Sequence, residues 1–358
     1  MLSVGIVGLP NVGKSTVFNA LARGGAKVSS YAFCTIEPNR AVVSVPDPRL
    51  EEVAGVFGQE RAVPTAIEFV DIAGLVKGAN KGEGLGNQFL AAIREADAIL
   101  HVVRSFPDIH VPHVEGSVGV MRDVGIVDTE LMLADLAAVQ RRREKVASAA
   151  KGRDKDAVRE AELLERLSEH LDAGRPARSF ADRAELREAA HVFLLTAKPE
   201  VYLVNAGEGQ GEWPKEAERL SQAVHGPIVP LPAKLEAELV ELDEEERTAF
   251  VAEFEVSATG LERVVRACYE ALDLVTFYTG VGAEARAWAV PRGTRAVAAA
   301  GRIHTDMERN FIRAEVIPFE ALVQRGSWEE AHRAGDIQTE GRDYEVQEGD
   351  VVLFRFAA

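Results

Sequence analysis

The stretch GLPNVGKST (residues 8–16) constrains the fold of this chain more than any other part of it. It has the form Gly-x-x-x-x-Gly-Lys-Ser, and its flanks agree with it. Ser3-Val4-Gly5-Ile6-Val7 reads as a buried strand, and residues 15–21 read as a helix. Glycines in such a turn let backbone N–H groups converge on phosphate oxygens, and the following helix N-terminus adds its positive end. Lys14 then neutralises the β and γ phosphates, and the Ser15 hydroxyl is a ligand for Mg2+. Strand, phosphate loop and helix in this order predict an α/β nucleoside-triphosphate-binding fold with a mostly parallel sheet.

Two further segments extend the phosphate end. VDIAGL (residues 70–75) follows the apolar alternation of TAIEFV, so Asp71 ends a strand on the Mg2+ side and the Gly74 N–H is available to the γ phosphate. A capped strand end would look the same in isolation; its place after a phosphate loop gives it meaning. In FCTIEPN (residues 33–39), Thr35 is expected to complete the Mg2+ shell when the γ phosphate is present, which makes this loop a switch. Lys14, Thr35, Asp71 and Gly74 form the candidate catalytic set. Leu75 stands where Ras-type enzymes carry the Gln that orients the attacking water. Leucine cannot hold water by hydrogen bonding, so slow intrinsic hydrolysis is expected. Glycines 78, 82, 84 and 86 then mark a loop.

The base end raises a sharper question. Ras-like GTPases read guanine with Asn-Lys-x-Asp after a buried strand. Here the strand PEVYLVNA ends in Asn205-Ala206-Gly207-Glu208. Guanine offers two donors that a carboxylate accepts together, whereas adenine offers an acceptor at N1 and a donor at N6. Asp-to-Glu moves a bidentate acceptor by about an ångström, and loss of Lys removes the stem that covers the base. Asn205 keeps its amide for adenine N6 or N7, although it could equally serve only to tie loops together. After the next apolar strand, the Ala233 backbone amide is expected at the ring edge. ATP is therefore expected over GTP.

The 358 residues are too many for one core and imply two or three domains. No apolar run approaches the ~18 residues of a membrane span, and MLSVGIVGLP lacks the basic lead-in and cleavage site of a signal peptide. Two cysteines, Cys34 and Cys268, fit a reducing cytoplasm. A net charge of -16 argues against whole-surface attraction to nucleic acid, DNA included, so any RNA contact needs a local basic patch. Residues 137–159 supply one, with Lys or Arg at 141, 142, 143, 145, 151, 153, 155 and 159 against acids at 144, 154 and 156. Met132, Leu136, Val139, Arg143 and Val146, then Leu164, Leu167 and Leu171, step by threes and fours, which predicts a helical hairpin over 126–195 inserted between 1–125 and 196–273. The remainder, 274–358, reads as a small α+β module. Its RIHTDME reads as a polar strand-to-helix corner rather than a metal site.

Together these segments resemble the YchF / Obg-like ATPase family over nearly the whole chain, including AKLEAEL and the C-terminal AAGRIHTDMERNFIRAEVI and EGRDYEVQEGD. The resemblance implies a ribosome-associated ATPase acting in translation or stress response, a ubiquitin-like TGS domain at the C-terminus, and a cytoplasmic protein, expected to be monomeric. It implies ATP contacts at Asn11, Val12, Gly13, Lys14, Ser15, Thr16, Thr35, Ile36, Glu37, Pro38, Asn39, Asp71, Ile72, Ala73, Gly74, Leu75 and Ala206, and Mg2+ ligands at Ser15 and Thr35. Asn11 resembles the phosphate-loop Asn of potassium-stimulated relatives, so K+ dependence is expected. Some members carry a catalytic His in the helix after the glycine loop; this chain has Ala92 there. Three other readings compete: a ribosome-binding module that uses ATP mainly as a ligand, a conventional translational GTPase, and, least favoured, a P-loop kinase.

Overall fold

The computed structural model describes residues 1–28, 39–72, 85–152, 154–207, 215–243, 246, 260–280, 282 and 284–357. Strands β1 (Ser3–Val7), β2 (Arg40–Ser44), β3 (Ala62–Val63), β4 (Ala66–Asp71), β5 (Ala98–Arg104), β6 (Glu200–Asn205) and β7 (Ile228–Leu231) are the strands described before residue 274. Six of them form one sheet in the order β2-β4-β1-β5-β6-β7. Only β2 runs antiparallel to its neighbour. β1, β5 and β6 are buried at every position, as expected of central strands covered by helices on both faces. Helix α1 (Lys14–Val28) follows β1, and the core gathers Ile6, Val17, Leu21, Phe69 and Leu100.

The parallel registers align the carboxyl ends of these strands. Ile6 lies beside Asp71, Arg104 beside Asn205, and Asn205 beside Leu231. A crevice outside the carboxyl ends of such strands is where an open α/β sheet takes its ligand.

After α2 (Arg49–Val56) and α3 (Leu85–Glu95), the hairpin consists of α4 (Val120–Lys151) and α5 (Lys155–Asp172). The boundary expected at 126 falls inside α4, because this helix changes partners along its length. Val120 and Val124 pack on Tyr202 and Val204, Leu131 joins the sheet core, and Met132 and Val139 meet Leu163, Leu164 and Leu167. Arg178, in the turn after α5, ties the hairpin to the sheet through Asp128 at 2.7 Å and the fully buried Glu200. The basic patch is weaker than its sequence suggests. Arg142 pairs with Glu160 (2.6 Å), Arg143 with Glu165 (3.1 Å) and Arg159 with Glu188 (2.7 Å), three acids that follow the basic window in the chain.

The C-terminal sheet contains β8 (Leu274–Thr279), β9 (Ala285–Pro291), β10 (Phe311–Pro318), β11 (Gln338–Glu340) and β12 (Asp350–Phe356). Its order is β11-β10-β12-β8-β9-β3, with β12 parallel to β8 and the hairpin β8–β9 antiparallel. This is the β-grasp arrangement of the TGS expectation, with β3 from the first half of the chain added as an edge strand. Leu50, Val53 and Ala54 of α2 pack with Tyr278, Ile317 and Leu322, so residues 49–63 belong physically to this second core. Asp47 and Arg49 seal the junction: Arg49 reaches Glu348 at 2.6 Å, and the Tyr278 hydroxyl donates to Asp47 at 2.5 Å. RIHTDME is a helix-to-helix corner, not the strand-to-helix corner expected. The helix Ala296–Ile303 ends there, and His304 caps the helix Thr305–Arg309 by accepting from the Asp306 N–H. No group of metal-binding side chains occurs among the described residues, and none of their helices is long and apolar enough to cross a membrane.

Candidate nucleotide site

The turn between β1 and α1 has the geometry that its glycines imply. Gly8 has φ +148°, and a Cβ there would meet the Val102 carbonyl oxygen at 2.3 Å; Gly13 has φ +103°, and its Cβ would meet Asn205 Nδ2 at 2.4 Å. Neither position admits a side chain. Asn11 takes a left-handed φ of 65°, which asparagine tolerates better than most residues, and its Nδ2 donates to Pro112 O at 3.1 Å.

Lys14 is buried, and its Nζ donates to Leu9 O at 2.9 Å. Burial lowers its pKa below the ordinary lysine value, and the nearby Asp71 carboxylate opposes that shift. The Ser15 hydroxyl donates to Asp71 Oδ2 at 3.0 Å. The backbone N–H of Asp71 donates to Asn39 O at 2.9 Å, which sets Asn39 beside the end of β4. Lys14, Ser15, Asn39 and Asp71 therefore lie together at this end of the sheet. Val12 and Ile72 point their side chains into the core, so only their backbones are available to a ligand. Thr35, Ile36, Glu37, Pro38, Ala73, Gly74, Leu75 and Glu208 lie outside the described residues.

At the base end, Asn205 is buried and both ends of its amide are in use. Nδ2 donates to Val12 O at 2.9 Å, and Oδ1 accepts from the Ala233 N–H at 3.1 Å. The Ala233 amide expected at the ring edge is thus already given to Asn205, and the Ala206 N–H is given to Leu231 O at 2.9 Å. Asn205 ties the phosphate loop to the β6 and β7 ends, which the sequence had left as one of two readings. Ala206, where guanine readers carry Lys, is buried and leaves no aliphatic stem over a base.

These residues line a cavity of about 550 Å³, from Asn11 to Thr16 on one side to Asn205, Ala206, Gly207 and Ala233 on the other. Its third wall consists of Arg104, Phe106, Asp108 and Val111, which sequence reasoning missed. An arginine ending the apolar run AILHVVRS was the available signal. A larger cavity, about 730 Å³, lies under the hairpin around Asp128, Arg178 and Tyr202. It lacks a phosphate-binding turn, so the smaller one is the nucleotide candidate. Ala92 in α3 packs partly buried against the core and offers no group for proton transfer.

Comparison with known proteins agrees with this fold. A family model described as a 50S ribosome-binding GTPase matches residues 3–123, and the YchF-GTPase C-terminal family model, described as a protein of unknown function, matches residues 274–357. The chain is 44% identical to the ribosome-binding ATPase YchF of Bacillus subtilis, over 99% of each chain. It is 46% identical to the protein of the same name from Escherichia coli O157:H7, over 98% of each. The structure of the Schizosaccharomyces pombe YchF GTPase superposes with a TM-score of 0.88 at 33% identity, over 99% of this chain and 97% of that one. A GTP-binding protein from Pyrococcus horikoshii shares the fold alone, at 18% identity and a TM-score of 0.63. With its phosphate-loop domain, β-grasp domain and end-to-end similarity to these relatives, the chain belongs to the YchF family.

Proposed function

We propose that this protein is a ribosome-binding ATPase that binds ATP in preference to GTP, hydrolyses it slowly and uses the bound nucleotide as a switch in translation or the stress response. The observation that carries the ATP preference is the strand end Asn205-Ala206-Gly207. Its Asn is committed to loop tying, and a small buried Ala replaces the Lys of guanine readers. The names of the bacterial relatives support ATP, whereas the fission-yeast protein is named a GTPase, so base choice is the point to test.

The site's own residues suit a triphosphate and its metal. The Ser15 hydroxyl donates a hydrogen bond to Asp71, which leaves lone pairs on its oxygen to ligate, and Mg2+ is a hard cation that takes oxygen ligands. Ser15, with Thr35, would hold it. Bound there, Mg2+ would offset negative charge on the triphosphate. Lys14 adds a second positive group, and the phosphate-loop N–H groups orient the polyphosphate. Asn11 is the residue through which K+ would assist. Ala92 and Leu75 provide no water-orienting group, which supports slow turnover and acceleration by a bound partner.

Contact with the ribosome would use the hairpin tip and the TGS domain of a cytoplasmic monomer. On the hairpin, exposed Arg141, Lys145 and Lys155 are the residues to reverse, because Arg142, Arg143 and Arg159 already have carboxylate partners. Equilibrium competition of ATP and GTP against a fluorescent nucleotide tests the central reading. A tenfold ATP preference, about 1.4 kcal/mol, is expected, and equal or stronger GTP binding would overturn it. Single-turnover hydrolysis with and without ribosomes then separates a switch from a protein that keeps ATP only as a ligand.

A further inference from the structure

The nucleotide reading leaves one wall of the cavity without a role. Arg104 is the last residue of β5 and is only 3% exposed. Its Nε donates to Phe106 O at 3.0 Å, its Nη1 to Asn11 O at 3.1 Å and to Val111 O at 3.0 Å, and its Nη2 to Val111 O at 3.0 Å. The guanidinium also lies over the Phe106 ring, 5.4 Å from its centre. Each acceptor is a backbone carbonyl. One belongs to the phosphate loop, and the others belong to the segment after β5. Asn11 adds a second strap through its bond to Pro112 O.

Two physical points follow. A planar fork with donors at fixed angles holds three carbonyls on two separate loops in one set geometry, whereas a lysine ammonium is a compact charge with rotatable donors and a neutral amide has only two N–H groups. A buried cation whose hydrogen-bond partners are all neutral is costly to keep, because carbonyl dipoles replace only part of its hydration. Such a group persists where the geometry it enforces is needed, and here it lines the cavity beside Lys14.

We propose that Arg104 is a positioning residue for the nucleotide: it clamps the segment 106–111 against the phosphate loop, so that the two form a single preorganised wall. This rests on the cavity being the ATP site. The clamp acts on binding, since it fixes the Asn11 carbonyl and the rim, and the saturated rate is therefore read in K+-free buffer, where the assistance proposed through Asn11 does not enter.

The test compares Arg104→Lys, Arg104→Gln and Lys14→Met with the unaltered full chain, in Mg2+, by ATP equilibrium binding and by single-turnover hydrolysis at saturating ATP. Both Arg104 variants are expected to raise the ATP Kd at least tenfold, with the saturated rate within twofold. Near-unaltered Kd values in both variants, or a fall in rate at unaltered Kd, would overturn the clamp. Retained ATP binding in Lys14→Met would instead overturn the site reading itself. Should the Arg104 variants fail to fold by circular dichroism, hydrogen exchange on the unaltered protein decides. ATP is expected to protect residues 8–16 and 105–112 together, and protection of the first segment alone would refute the clamp.

Discussion

Asn205→Ala is the most informative single substitution, because it separates tying loops from reading the base. The side chain is buried and satisfies two backbone groups, the Val12 carbonyl at 2.9 Å and the Ala233 N–H at 3.1 Å. Alanine leaves both without partners. An orphaned buried backbone group costs about 1–3 kcal/mol, and water entering from the cavity relieves part of it, so the loss comes to about 2–4 kcal/mol. Native-state hydrogen exchange of the β1 and β6 peptides measures this for the nucleotide sheet by itself, without requiring the whole chain to unfold in one step. At about 1.4 kcal/mol per factor of ten, exchange through opening of that sheet accelerates roughly 30- to 800-fold. An acceleration below threefold would refute the view that the amide holds the loops. The same variant carries a second readout. If Asn205 is only a tie, ATP and GTP affinities fall by the same factor, so a change in their ratio would show that the amide reads the base as well.

Three further outcomes follow from buried groups. Burial pushes the Asp47 carboxyl up, but hydrogen bonds from Arg49 and Tyr278 outweigh it and hold the pKa below the ordinary carboxylate value. A depressed carboxyl stabilises the fold above the ordinary carboxylate pKa, and the stabilisation is lost as pH falls through the lowered value. Asp47→Asn should therefore destabilise the C-terminal unit at neutral pH by an amount that shrinks in acid, read by Trp288 and Trp328 fluorescence during urea unfolding; a pH-independent difference would contradict it. Burial lowers the Lys14 pKa, with Asp71 opposing, whereas bound phosphates favour the ammonium. ATP binding should accordingly take up protons, and weaken, as pH rises through the lowered Lys14 pKa, which calorimetry in two buffers of different ionisation enthalpy detects. Cys268 is fully buried and its thiol is pushed well above the ordinary range. In a Cys34→Ala background it should not react with a thiol reagent until the protein unfolds.

How much of this was legible in the sequence depended on whether the signal was local. The phosphate loop was legible because turn, strand and helix all lie within about twenty residues, and Asp71 because its motif ends an alternating strand. The hairpin was legible from its stepping of threes and fours, but its start was not. Helix α4 exchanges one apolar partner for another between Val120 and Val139, and a stripe that rotates between two cores leaves no clear edge in the periodicity. The excess of charge at its tip was overestimated because ion pairs across two helices depend on their tertiary register, and the partners of Arg142, Arg143 and Arg159 lie 18, 22 and 29 residues further along the chain.

The least legible parts are those in which one half of the chain completes the other. Two residues, Ala62 and Val63, form a strand only because Ala285 and Arg286 are there to pair with them, and no local propensity signals such a strand. Arg104 is the same case at the site. At the end of an apolar run, an arginine reads as a residue entering solvent, since its charge is rarely buried. Its burial depends on carbonyls at 11, 106 and 111 converging on one point, which requires the phosphate loop and the segment after β5 to be folded already. Motifs therefore reveal the groups that touch the phosphates, because chemistry fixes their spacing along the chain. The groups that hold those motifs in place are fixed only by the register between strands, and there Arg104 lies beside Asn205, each fastening the phosphate loop from its own strand.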